Sequence, residues 1–134
     1  MPTNVLEIRN LDVDFSTDTG VTTALQGVSF DVPKGEVTAV VGESGSGKSV
    51  TANCIMRLIQ KPGRIRDGSI LFSPEEGEPY DVVALPRKDP RLYDLRGGHI
   101  SMVFQEPMTA LSPVLTVGDQ VSEAILCHLS LIHI

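Results

Sequence analysis

The sequence predicts an α/β fold built around a phosphate-binding loop, and three observations predict it. The octapeptide Gly42-Glu43-Ser44-Gly45-Ser46-Gly47-Lys48-Ser49 fits the pattern G-x-x-x-x-G-K-[ST]. The apolar run Val37 to Val41 precedes it and reads as a buried strand, while a helical pattern from Lys48 to Gln60 follows it. Upstream, alternating apolar residues in two segments read as an antiparallel β-subdomain.

The elements follow in order. Val5 to Ile8 and Leu11 to Phe15 read as one strand or two short ones, with Leu11, Val13 and Phe15 alternating with Asp12 and Asp14. Ser16 to Gly20 is a polar turn. Val28, Phe30 and Val32 alternate again, and Pro33-Lys34-Gly35 reads as a turn into Glu36 to Val41, an antiparallel hairpin. The helix from Lys48 carries Thr51, Ile55, Leu58 and Ile59 on one stripe, widened by Cys54 and Met56, and stops at Lys61-Pro62-Gly63. Gly68 to Phe72 reads as a short strand, Ser73 to Pro90 as a loop or small insertion, and Arg91 to Arg96 as a helical turn. His99 to Phe104 reads as a second buried strand, and His99 as structural. Pro107 to Pro113 is turn-rich, and Val117 to Cys127 reads as a helix with Val117, Val121, Ala124 and Ile125 on one face.

The spacing of the octapeptide has a direct physical reason. Glycines let the backbone turn tightly and bring N–H groups close to phosphate oxygens. The N-terminal N–H groups of the following helix and its dipole add positive potential at the same place. Lys48 supplies a point charge for β- and γ-phosphates, and the Ser49 hydroxyl suits a Mg²⁺ shell. Thr51, one turn into the helix, is a further phosphate donor.

Composition narrows the classes. The chain has 134 residues, 41% hydrophobic and 21% charged, which suits one globular domain. No apolar run approaches the roughly 20 residues that span a bilayer, and Met1 to Asn10 does not read as a signal peptide. The net charge of −6 argues against nucleic acid as a partner. Cys54 and Cys127 carry no metal or redox spacing; Cys54, inside the helical stripe, reads as a small core residue.

At Ser101-Met-Val-Phe104-Gln105-Glu106-Pro107-Met108-Thr-Ala-Leu-Ser-Pro113 a family resemblance enters. Together with the P-loop, this segment resembles the nucleotide-binding subunits of ABC transporters, most closely the ATP-binding proteins of dipeptide, oligopeptide and nickel importers. The resemblance runs from about Val5 to about Ala124. It implies a P-loop NTPase fold of the ABC type with an N-terminal antiparallel β-subdomain, and an ATP-binding subunit that couples hydrolysis to uptake of peptides or a related small solute. Lys48 and Gln105 are the implied catalytic residues. Phe15, Thr51 and every residue from Gly42 to Ser49 (Gly42, Glu43, Ser44, Gly45, Ser46, Gly47, Lys48, Ser49) are implied to bind ATP. Ser49 and Gln105 are implied to hold Mg²⁺. Phe15 matches the aromatic that stacks on adenine. Gln105 matches the glutamine that reaches the metal or the attacking water and links the site to the transmembrane subunit.

The resemblance also implies partners and a place. They are transmembrane permease subunits, a second ATP-binding subunit and, indirectly, a periplasmic or extracellular solute-binding protein, at the cytoplasmic face of the membrane. No nucleic acid is expected. A helical subdomain is expected to begin near residues 108–117.

The family pattern continues with a Leu-Ser-Gly-Gly-Gln signature, a Walker B strand with a catalytic glutamate, and a switch histidine, none of which this sequence contains. Residues 1–128 are therefore expected to be the N-terminal part of such a domain, truncated before those motifs, without turnover on their own and poorly soluble. Residues 129–134, Leu-Ser-Leu-Ile-His-Ile, have no family counterpart and match the translation of a transposase adapter used in sequencing libraries, so they are expected to be non-native. Two rival readings are a nucleotide-binding module without turnover and a soluble ABC-type ATPase; a small-molecule kinase shares the P-loop but has no need of Gln105.

Overall fold

The computed structural model describes residues 3–128, and the expected non-native tail at 129–134 lies outside the described residues. The chain divides into two compact units, one up to Tyr93 and one from Asp94.

The first unit is an antiparallel sheet with the helix that follows the P-loop and, at its end, a short second helix. Strands β1 (Asn4–Thr17) and β2 (Gly20–Pro33) form a long hairpin, closed by the polar turn expected at Ser16 to Gly20. Strand β3 (Gly63–Phe72) pairs with the other edge of β1, and the two-residue strand β4 (Tyr80–Asp81) pairs with β3, giving the order β2-β1-β3-β4. Helix α1 (Lys48–Ile55) lies between β2 and β3 in sequence.

One strand rather than two forms at the N-terminus because a bulge reconciles two alternations. Leu6 and Ile8 are buried at even positions, and Leu11 and Val13 at odd ones. A strand has a side-chain period of two, so an inserted residue must reset it. Asn10 provides this with φ +50, and the pairing with both neighbouring strands shifts there. Asn tolerates the left-handed region better than most residues. Opposite the bulge, Gly68 has φ +103, and a Cβ on it would lie 2.6 Å from the Asn10 carbonyl oxygen. Only glycine fits there.

The core combines these strand residues with Leu25, Ile70, Phe72 and Val82, and with Cys54 and Met56 at the end of α1. On β1, the Asp12 carboxylate accepts the Gly27 N–H at 2.6 Å and the Arg66 guanidinium at 3.2 Å, which together hold its pKa below the usual carboxylate range. Arg66 also reaches the buried Asp14 at 3.2 Å.

In the second unit, the turn at Leu95–His99 is π-helical, with the Ile100 N–H donating to the Leu95 carbonyl at 2.8 Å. A 3₁₀ turn forms at Pro107–Thr109, and the helix expected from Val117 runs over Val117–His128 (α3). Helix α2 (Pro90–Asp94), which closes the first unit, falls at the helical turn expected over Arg91 to Arg96.

Four expectations are corrected. Val37 to Val41 is not a buried strand: Val37 is 99% and Val41 90% exposed, and no strand pairs with this segment among the described residues. The hairpin expected at Pro33-Lys34-Gly35 is therefore absent; the turn stays, but nothing pairs back onto β2. His99 to Phe104 is likewise no strand, with Val103 97% exposed. An apolar run becomes a strand only when a ladder partner satisfies its N–H and C=O groups. Fourthly, α1 ends at Ile55 rather than Gln60. Arg57 takes φ +54, its N–H donates to the Cys54 carbonyl at 3.0 Å, and the Leu58 N–H reaches the Asn53 carbonyl at 2.8 Å. That pair of bonds is a Schellman ending with Arg57 at C′.

Candidate phosphate-binding site

Gly42 to Ser49 folds as a tight loop running into α1. The Ser46 N–H donates to the Glu43 carbonyl at 3.1 Å and closes the loop on itself. Gly45 has φ +81 and Gly47 φ +99, the left-handed region that glycine enters without strain. Gly47 is the N-cap of α1, so the N–H groups of Lys48, Ser49 and Val50 open the helix with no intrahelical acceptor. Converging N–H groups at a helix N-terminus favour an anion.

Two glycines shape the cradle. A Cβ on Gly42 would lie 2.5 Å from Ser46 Oγ, across the loop. A Cβ on Gly47 would lie 2.6 Å from Leu25 Cδ2, because the loop packs directly against β2. Leu25 and Ala24, which form this wall, carry no motif signal in the sequence.

Lys48 curls back over the loop. Its ammonium donates to the carbonyl oxygens of Gly42 and Glu43, the latter at 2.7 Å, and lies 3.3 Å from Ser46 Oγ. These are neutral, solvent-facing acceptors, which a phosphate oxygen would outcompete. The cradle and its cation thus fit the polyphosphate of a nucleotide. Ser49 is exposed at the mouth of the loop, where its hydroxyl is open to a hydrated cation. Thr51 is buried, and its hydroxyl donates to the Gly47 carbonyl at 2.8 Å. Its proton is engaged there, so in this arrangement the side chain steadies the loop.

Phe15 is half-buried near the end of β1. Register relates it to the loop: Val13 pairs with Leu25, the residue behind Gly47, and Phe15 lies two positions further along the strand. Its ring packs beside Gly63, where a Cβ would lie 2.7 Å from Cε1. Gln105 is exposed and belongs to the second unit, in the irregular stretch before the 3₁₀ turn. Glu43, Ser44 and Ser46 lie in the loop itself. Among the described residues no three His, Cys, Asp or Glu side chains gather into a metal site.

Comparison with known proteins bears on the same residues. The sequence model of the ABC transporter family matches residues 25–131. The chain is 50% identical over 125 residues to the dipeptide transport ATP-binding protein DppD of Bacillus subtilis, covering 92% of this chain and 35% of that protein. It is 46% identical over 127 residues to the oligopeptide transport ATP-binding protein OppD of Bacillus subtilis, covering 94% of this chain and 34% of that protein. A glutathione import ATP-binding protein, GsiA of Pectobacterium atrosepticum, is 44% identical over 125 residues, 92% of this chain and 20% of its own. The chain thus spans about a third or less of the length of these relatives.

Proposed function

The chain belongs to the ABC transporter family, and from that premise we propose that it supplies the ATP-binding site of an importer's ATPase subunit, in which ATP binding and hydrolysis drive uptake of peptides or a related small solute. The observation that carries this reading is the cradle at the start of α1, where glycine-shaped backbone, orphan helix N–H groups and the Lys48 ammonium converge.

In this reading the backbone N–H groups from Gly42 to Ser49 donate to the phosphate oxygens, with Glu43, Ser44 and Ser46 contributing through the loop. Lys48 transfers its hydrogen bonds from the loop carbonyls to the β- and γ-phosphate oxygens. Phe15 stacks on adenine, and Thr51 holds the loop's end through Gly47 beside the phosphates. Ser49 and Gln105 would hold Mg²⁺, which when bound would neutralise charge on the phosphates. Lys48 and Gln105 serve hydrolysis, the first by stabilising developing negative charge and the second by orienting water.

The second unit supports attachment to a membrane partner. Met108 is 89% and Val114 85% exposed, and on α3 Val117, Val121 and Ile125 recur at helical spacing with their side chains exposed. Among the described residues no helix is long and apolar enough to cross a membrane. The partners in this reading are permease subunits, with which the protein sits at the cytoplasmic face of the membrane, a second ATP-binding subunit, and a solute-binding protein reached through the permease. The cargoes named for the relatives, dipeptides, oligopeptides and glutathione, support a peptide-like solute.

The test is uptake of a labelled dipeptide by cells that depend on this gene. Lys48→Ala is expected to reduce uptake to background. Uptake at the wild-type rate would overturn the assignment.

A further inference from the structure

Arg57 is an unexpected residue where it stands. It occupies C′ of the Schellman ending of α1 with φ +54, a conformation that glycine adopts freely and that L side chains rarely adopt. The side chain explains the choice. One terminal nitrogen, Nη1, faces three carbonyl oxygens: Val82 at 2.8 Å, Val83 at 3.2 Å and Leu85 at 2.9 Å. That nitrogen carries two hydrogens, so at least one is shared. The segment it grips is itself fixed, since the Asp81 carboxylate accepts the N–H groups of Ile70 and Val83, each at 3.0 Å.

We propose that Arg57 is a positioning residue for the phosphate cradle: it fastens the C-terminal end of α1 to the 82–85 segment and thereby sets where the N-terminal end of that helix presents Lys48 and Ser49. The proposal rests on the phosphate-binding reading above. The geometry makes the link short. Helix α1 has only eight residues. It is held at its start by the packing of Gly47 against Leu25, near its end by the buried Cys54 and Met56, and just beyond by the Arg57 hydrogen bonds. Apolar burial at Cys54 and Met56 is non-directional, so losing the directional grip of Arg57 lets such a short rod tilt on those contacts. A tilt moves the orphan N–H groups relative to the loop without unfolding either element. A glycine at C′ would serve the helix ending better, so helix termination alone does not call for the guanidinium.

Three variants of the whole chain separate the roles. Arg57→Met keeps the aliphatic stem and the left-handed strain but removes the donors. Arg57→Gly removes the donors and the strain together. Arg57→Lys keeps a cation that can reach carbonyls. Equilibrium binding of ATP and AMP is measured beside the thermal midpoint. Arg57→Met and Arg57→Gly are expected to bind ATP roughly 10-fold more weakly, about 1.4 kcal/mol, with AMP changed by less than about 2-fold because it lacks the outer phosphates. Arg57→Lys is expected to recover most of the ATP affinity, and Arg57→Gly to melt no lower than Arg57→Met. Unchanged ATP binding in Arg57→Gly would overturn the proposal, and so would a loss shared equally by ATP and AMP that tracks the thermal midpoint. Failure of the phosphate reading itself looks different: the wild-type chain would then show no ATP binding that depends on Lys48.

Discussion

Gly47→Ala probes the joint between loop and sheet. The added Cβ would meet Leu25 Cδ2 at 2.6 Å and the Ala24 carbonyl oxygen at 3.4 Å, on a backbone with φ +99. Two costs follow. A side chain in the left-handed region costs roughly 1–2 kcal/mol. Leu25 is only 4% exposed and cannot swing away freely, so relieving the overlap adds roughly 1–3 kcal/mol of overpacking. The sum, about 2–5 kcal/mol, is a large part of the ~5–15 kcal/mol that stabilises a typical domain. For a unit of this size it lowers the thermal midpoint by roughly 8–40 °C. The assay is denaturant unfolding of wild-type chain, Gly47→Ala, Leu25→Ala and the double variant. Leu25→Ala alone costs ~2–5 kcal/mol, but it makes room for the new methyl group. The double variant should therefore lose at least about 1 kcal/mol less than the two single losses added. Strict additivity, or a Gly47→Ala midpoint equal to wild type, would refute the packing account of the cradle.

Other outcomes follow from the same packing and charges. Cys54 is buried and Cys127 exposed. A thiol reagent should therefore modify one cysteine in the native chain and both after denaturation; rapid native labelling of Cys54 would contradict its place in the core. Burial pushes the Cys54 thiol from 9.0 up to about 12. The folded state keeps the thiol neutral while the unfolded chain ionises, so stability present below about pH 9 should decline between there and about pH 12. Equal alkaline sensitivity in Cys54→Ala and wild type would count against this. At the acid end, Gly27 and Arg66 depress the Asp12 pKa. Its contribution is present above the unfolded value near 3.8 and is lost as pH falls through the lower folded value. Asp12→Asn should flatten that acid limb in a pH series of unfolding curves, and an unchanged limb would remove Asp12 from the account.

The parts of the molecule legible in the sequence were those specified locally. The octapeptide needs only its own glycines, Lys48 and Ser49 to form a loop on a helix N-terminus. The turn at Ser16 to Gly20 and the helix from Val117 likewise declare themselves through short-range signals. What depends on a distant partner was not legible. Val37 to Val41 and His99 to Phe104 have the composition of buried strands, yet a strand is defined by the chain beside it, and neither run has one among the described residues. The bulge at Asn10 is visible only as a change of buried positions from even to odd, which a reading of two short strands had half captured. The end of α1 was hidden for another reason. A left-handed C′ residue is normally announced by Gly or Asn, and here it is Arg57, whose acceptors at Val82 and Leu85 lie far along the chain. Leu25 behind Gly47 could not be found from any motif, because its role is set by volume at a contact.

The central claim is that the loop from Gly42 to Ser49 holds nucleotide phosphates through Lys48. Its most direct test is calorimetric titration of the chain with ATP in the presence of Mg²⁺, in parallel with Lys48→Ala. The account predicts saturable binding by the wild-type chain, weaker binding of AMP, and loss of ATP binding in Lys48→Ala. Equal ATP binding by the two proteins, or none by either, would contradict it.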